Sequence, residues 1–198
     1  MGADNDENEE QAMTTVFLSG SRKINRLNDV IRGRIQNIVD KGFDVVVGDA
    51  NGADKAMQSF LSEKVYPNVF VYCAGQTCRN NMGSWEVEKV LVDPKLKGRA
   101  FYTQKDKVMA NVADFGLILW DGKSAGSINN VFELLKKDKK AVVYFSPRKD
   151  FFVIKTVGDI EDLLHLCDPL VSHDFKKSPI LKRQMEHFDI AKQHSFDM

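Results

Sequence analysis

T-V-F-L-S-G-S-R at residues 15–22, joined through a helical run to F-D-V-V-V-G-D-A-N-G-A-D at residues 43–54, is the stretch that decides the fold. Val16 to Leu18 is a short continuous apolar run, the pattern of a strand buried on both faces. It breaks at Ser19-Gly20-Ser21-Arg22, where small residues let backbone amides approach a ligand and an arginine can pair with an anion. Leu27, Val30, Ile31, Ile35, Ile38 and Val39 then recur at helical spacing until Lys41-Gly42 ends the helix. Val45 to Val47 is a second buried strand, opening into Gly48-Asp49-Ala50-Asn51-Gly52-Ala53-Asp54 and a second helix. The resulting βαβα unit sets two glycine-bearing loops side by side at the carboxyl ends of parallel strands. Open α/β sheets bind ligands there, and the helix amino terminus behind each loop favours negative charge.

The same alternation continues outward. Ala53, Ala56, Met57, Phe60 and Leu61 line one helix face, and Val69 to Tyr72 is a third strand. Cys73 to Thr103 is the least regular part, holding Arg79-Asn80 and a short helix pattern around Val87, Val90 and Leu91. A helix over Thr103 to Ala113 with Val108, Met109 and Val112 leads to the strand Phe115 to Trp120. A third small-residue loop follows, Asp121-Gly122-Lys123-Ser124-Ala125-Gly126-Ser127, then a helix on Ile128, Val131, Phe132 and Leu135 and a strand over Ala141 to Phe145. The predicted fold is α/β: a Rossmann-like doubly wound parallel sheet in three α/β/α layers, with a C-terminal helical extension. Residues 1–13 read as an acidic mobile leader, 14–146 as the ligand-binding domain, and 147–198 as the extension. Within the extension, Val153 to Thr156 suggests an edge strand and Ile160, Leu163, Leu164 and Cys167 a short helix. Ser178-Pro179 then caps a last helix with an apolar stripe of Leu181, Met185 and Phe188.

Gly20-Ser21-Arg22 at a strand end, followed by Gly48-Asp49-Ala50-x-Gly52-Ala53-Asp54, resembles the SLOG superfamily of Rossmann-like domains, and most of all its YspA-like branch. The resemblance covers residues 15–146 and extends to the third loop, where the family carries W-D-G-x-S-x-G-[ST] and this chain has Trp120 to Ser127. It implies a nucleotide or nucleotide-derived ligand, such as an ADP-ribose-like molecule or a nucleoside phosphate, in the crevice at the strand ends. Gly126, Ser127 and Ile128 open a helix, so their N–H groups and the hydroxyls of Ser124 and Ser127 suit a phosphate, or the serines serve as plain caps. Asp121 is placed to accept from a ribose diol. Lys123 either neutralises phosphate or is a solvated loop lysine. Arg22 and Arg79 are the cations expected beside an anion, with Asn80 next to the second.

Some SLOG relatives, the LOG-type phosphoribohydrolases, cleave N-glycosidic bonds with a glutamate in a P-G-G-x-G-T-x-x-E motif. This chain has Asn130 at the corresponding place, and an amide cannot act as base or nucleophile. Asp49, Asp54, Asp121 and Glu86 remain as candidates, and Asp49 is the preferred one for catalysis or a ribose contact, against the alternative of a turn residue bonding its own backbone. Asp54, in the first turn of its helix, either faces the ligand or complements the helix dipole. The expected ligand-binding set is therefore Gly20, Ser21, Arg22, Gly48, Asp49, Gly52, Asp54, Arg79, Asn80, Asp121, Gly122, Ser124, Gly126 and Ser127. Binding or sensing of a nucleotide-derived ligand is the leading expectation. Nucleotide N-glycosidase or glycosyl-transfer activity and a protein-interaction scaffold are the alternatives, and whether the chain is an enzyme stays open.

Charge and composition narrow the classes. The 198 residues balance 28 Lys+Arg against 28 Asp+Glu, but the first twelve positions carry five acids and no base. Residues 13–146 hold 20 basic against 14 acidic side chains, a mild excess that suits a small anion and falls short of a dense basic face. Nucleic acid is not an expected partner on that count. No apolar run is long enough for a membrane span, and no secretory signal is read at the N-terminus, so a cytoplasmic protein is expected, with a homo-oligomer open. Cys73, Cys78 and Cys167 lack C-x-x-C spacing and read as reduced thiols. The four histidines all follow residue 146, so neither a metal nor a cofactor is expected.

Overall fold

The computed structural model describes residues 13–169 and, beyond them, 175, 177–179, 182–186 and 188. Strand β1 (Thr15–Gly20) feeds helix α1 (Asp29–Asp40), strand β2 (Asp44–Gly48) and helix α2 (Ala53–Glu63). Strands β3 (Val69–Ala74) and β4 (Glu86–Val90) precede helix α3 (Gly98–Val112), strand β5 (Phe115–Trp120), helix α4 (Ala125–Leu135) and strand β6 (Ala141–Phe145). Strand β7 (Asp150–Ile154) and helix α5 (Val157–His165) follow. The seven strands form one sheet in the order β4-β3-β2-β1-β5-β6-β7. All neighbours are parallel except β6 and β7. Helices cover both faces, so the fold is α/β, Rossmann-like and three-layered.

Strand alternation sorts the core into two halves. Val16 and Leu18 of β1, with Val45 and Val47 of β2, meet Ile31, Ile35 and Ile38 of α1 and Met57 and Leu61 of α2. Phe17, Ile118 and Trp120 turn to the other face, against Met109 of α3, Ile128 and Phe132 of α4 and Leu163 of α5. Burying each such side chain contributes about 1.5–3 kcal/mol. Asn28 caps α1 by accepting from the Ile31 N–H at 3.0 Å. Residues of the expected stripes that face out instead include Val30, 53% exposed, Val112, 44%, and Val108, 36%.

All five strands expected within the parallel sheet are present. β4 is the departure, since the region around Val87 and Val90 forms an edge strand where a helix pattern was read. Its residues Glu86, Glu88 and Lys89 are exposed, as charges on a sheet edge commonly are. Helix α3 also begins five residues ahead of Thr103. The edge strand beyond Phe145 is present as β7, over Asp150–Ile154 and antiparallel to β6. Thr156 then starts α5 with a reciprocal capping box to Asp159. The Ser178 carbonyl accepts from Lys182 N–H at 3.0 Å, as the residue opening a helix does. Met185 and Phe188 pack on the α4 side of the core, and the Gln184 amide donates to Asn129 and Glu133 of α4 at 2.9 and 3.0 Å. The leader up to Gln11-Ala12 and Leu181 lie outside the described residues. Among the described residues no helix is long and apolar enough to cross a membrane.

Candidate functional site

Strand order reverses between β1 and β5. The chain moves from β1 outward to β2, β3 and β4, then returns to place β5 on the other side of β1. The loops leaving these two strands must diverge, and a crevice opens between them. It has a volume of about 540 Å³, and its walls come from the loops after β1, β2 and β5 and from the first turns of α3 and α4.

The wall nearest α4 is built on a buried serine. The Ser21 hydroxyl, fully buried, donates to Asp121 Oδ1 at 3.0 Å and shares a 3.0 Å hydrogen bond with the Ser127 hydroxyl. The Asp121 N–H donates back to Ser21 Oγ at 3.1 Å. Asp121 Oδ1 also accepts from the N–H groups of Lys123 and Ser124, at 2.9 and 2.7 Å, so one carboxylate oxygen organises the whole loop. Trp120, fully buried, pins the loop from below by donating Nε1–H to the Ser124 carbonyl at 3.1 Å. The Ser124 side chain makes no cap hydrogen bond, which leaves the amino end of α4 open for an anion.

Arg99 stands over that open end, and Arg22 lines the same crevice close enough for its charge to be felt there. A Cβ added at Gly126 would lie 2.6 Å from Arg99 Nη2, so the guanidinium rests on the bare glycine backbone. Burial lowers the Arg99 pKa below its usual value, and the nearby positive charge of Arg22 lowers it further. Neither arginine has a carboxylate partner among the described residues. Deeper in, Asn130 Nδ2 donates to Ser19 Oγ at 2.7 Å while Asn130 Oδ1 is buried without a partner.

The opposite wall is an ion-pair cluster. Asp49, 2% exposed at its side chain, accepts from Arg79 Nε at 2.9 Å, Nη2 at 2.6 Å and the Arg79 N–H at 3.1 Å. Burial alone would raise the Asp49 pKa, but the Arg79 hydrogen bonds and the charge of Lys105 outweigh it and hold the carboxyl below its usual range. Buried Lys105 lies 4.0 Å from Asp49 and 2.8 Å from Asp106. Burial opposes its charge, yet Asp106, Asp54 and Asp49 together hold its pKa above the ordinary value. Asp54 has the opposite fate: burial pushes its carboxyl up to about 6, and the Lys105 charge only partly restrains it. Gly48 lies directly beneath this cluster, and a Cβ there would displace Lys105 Nζ and Asp54 Oδ2. Gly52 (φ +85°) is constrained, since a Cβ would run into the Arg22 backbone.

Of the residues picked out from the sequence, Gly20, Arg22, Asp54, Arg79, Asp121, Ser124, Gly126 and Ser127 line the crevice. Ser21, Gly48, Asp49, Gly52, Asn80 and Gly122 stand behind the lining. Asn80 ties the second loop by donating to the Asp49 carbonyl at 2.7 Å. Asp49, the candidate catalytic carboxylate, has its oxygens taken by Arg79 and faces no open space. Sequence reasoning missed Lys23, Arg99, Tyr102, Lys105 and Asp106 as site residues. The last four come from α3, and the basic run Lys95, Lys97, Arg99 across its start was the available signal. Cys73 and Cys78, expected as reduced thiols, are joined in a disulfide, while Cys167 is free. Asp49, Cys73 and Cys78 have ligand atoms within 4.8 Å of one another, but the disulfide and Arg79 already engage all three.

No protein-family model matches the chain. No curated protein matches it either. Among solved structures it is similar to DNA processing protein A from Helicobacter pylori, described for its unique single-stranded DNA binding mode, at a TM-score of 0.51 and 16% identity. The alignment covers 66% of this chain and 64% of that one, so the chain spans less than two thirds of its neighbour's length. At this identity the likeness is one of fold. It corrects two expectations: a small nucleotide-derived ligand, sensed or hydrolysed, as the function, and the exclusion of nucleic acid as a partner. The physical reason lies in the crevice. Arg22, Lys23, Arg79, Arg99, Lys105 and Lys123 line it against Asp54, Asp106 and Asp121 alone. An average over the whole body of the chain diluted that local excess.

Proposed function

We propose that the chain binds the sugar-phosphate backbone of a single-stranded nucleic acid in the crevice between β1 and β5. The observation that carries this reading is Arg99 over the uncapped amino end of α4 with Arg22 near it in the crevice lining, neither with a carboxylate partner among the described residues. Two guanidinium groups that repel each other are stabilised by an anion between them, and a phosphodiester offers both the charge and a pair of acceptor oxygens that arginine's planar fork matches. Lys23 and Lys123 extend the positive rim along which a strand can run. The fold likeness to a protein described as binding single-stranded DNA supports the same reading. The three loops resemble the SLOG superfamily, of which this chain is, on this proposal, a nucleic-acid-binding member.

The test compares a labelled single strand with a duplex of the same sequence by fluorescence anisotropy. The single strand binds more tightly, and Arg99→Ala weakens it by about 1.5–3 kcal/mol, the worth of a hydrogen bond to a charged group. Equal binding of both forms, or Arg99→Ala binding as wild type, contradicts the proposal.

A further inference from the structure

The crevice holds one flat, preassembled surface that phosphate contacts do not use. Tyr102, in the second turn of α3, lines the crevice, and the Arg79 guanidinium carbon lies 4.3 Å from its ring centroid. Phe101 meets the Tyr102 ring edge-on, with centroids 5.3 Å apart and planes at 88°. Arg79 is fixed in its own plane by the two side-chain hydrogen bonds to buried Asp49. The guanidinium therefore sits over the phenol ring before any ligand arrives, and little side-chain entropy remains to be lost.

We propose that the Tyr102–Arg79 pair is a nucleobase-stacking subsite, which takes an unpaired base next to the phosphate held by Arg22, Arg99 and the amino end of α4. The proposal rests on the strand-binding reading above and deepens it. Aromatic and guanidinium planes accept any base by its π face, so they add affinity without sequence preference. A base inside a duplex has both faces covered by its neighbours and cannot use such a platform. The crevice volume of about 540 Å³ suits a nucleotide unit. Stacking thus explains how a crevice built on phosphate contacts would distinguish single strands from duplexes, which carry the same phosphates.

The experiment uses the full chain and two labelled strands of equal length, an oligothymidylate and a backbone of abasic residues with the same number of phosphates. Wild type is expected to hold the oligothymidylate about 5- to 150-fold more tightly, the range of one base stacked on an aromatic ring. Tyr102→Leu should bring the oligothymidylate down to the abasic level and leave abasic binding unchanged, while Tyr102→Phe keeps the preference. Wild type that binds both strands equally overturns the stacking subsite and leaves phosphate binding intact. Tyr102→Leu that weakens both strands alike assigns the residue to the fold and also overturns it. Wild type that binds neither strand overturns the strand-binding reading itself. Free thymidine monophosphate that displaces the strand at the strand's own Kd assigns the platform to a mononucleotide and overturns its assignment to a strand.

Discussion

At the scale of single residues, the crevice is governed by which charges are matched. Arg79→Ala leaves Asp49 buried with Lys105 at 4.0 Å as its nearest cation, so a stability loss of up to about 3 kcal/mol is expected in urea denaturation. Asp54 carries a pH dependence whose sign follows from its raised pKa. Between its unfolded value of 3.8 and its folded value of about 6, the native state binds more protons than the unfolded one. The Asp54 contribution therefore favours the fold at acid pH and is lost as pH rises through about 6. Stability profiles of wild type and Asp54→Asn should differ in slope across that window, and identical slopes would refute the assignment. The same proton acts on ligand: neutralising Asp54 removes an anion from the crevice wall, so strand affinity rises as pH falls through about 6 in wild type and changes less in Asp54→Asn.

At the scale of elements, α4 separates binding from folding. Gly126→Ala replaces a poor helix former with the best one, a gain of about 1 kcal/mol in an unstrained position. The added methyl displaces Arg99, whose Nη2 would be 2.6 Å away, and the long arginine can move aside. Thermal unfolding should thus show an unchanged or higher Tm, while anisotropy shows weaker strand binding. A variant that binds as wild type would mean that Arg99 is not needed over the helix end. The elements also show what could be read from the sequence. Val16–Leu18, Val45–Val47 and Phe115–Trp120 announced buried parallel strands, because continuous apolar runs between glycine loops have few other uses. β4 did not announce itself, since an edge strand needs only one sheet neighbour and its charged residues mimic a helix face. Missing β4 hid the true start of α3, and with it Arg99 and Tyr102. Asp49 was visible as a loop carboxylate, but its capture by Arg79 joins residues 30 apart in sequence and no local pattern records it.

At the scale of the whole molecule, the sheet order sets both crevice and charge. The reversal between β1 and β5 gathers cations from loops and helices remote in sequence, from Arg22 to Lys123, onto one edge of an electrically neutral chain. A polyanion that binds there releases counterions, so its affinity must fall as salt rises, by about 0.7 in the logarithmic slope for each phosphate neutralised on a single strand. The central claim is that Arg22 and Arg99 clamp a phosphodiester at the amino end of α4. Its most direct test is an anisotropy titration of an oligothymidylate from 50 to 200 mM salt (about the range over which such slopes are resolved), on wild type and on Arg22→Ala/Arg99→Ala. Wild type is predicted to bind saturably with a negative salt slope, and the folded double variant to bind more weakly with a slope shallower by about 0.7, the share of that one phosphate. A double variant with the wild-type slope and affinity, or a wild type that fails to bind at the lowest salt, contradicts the account.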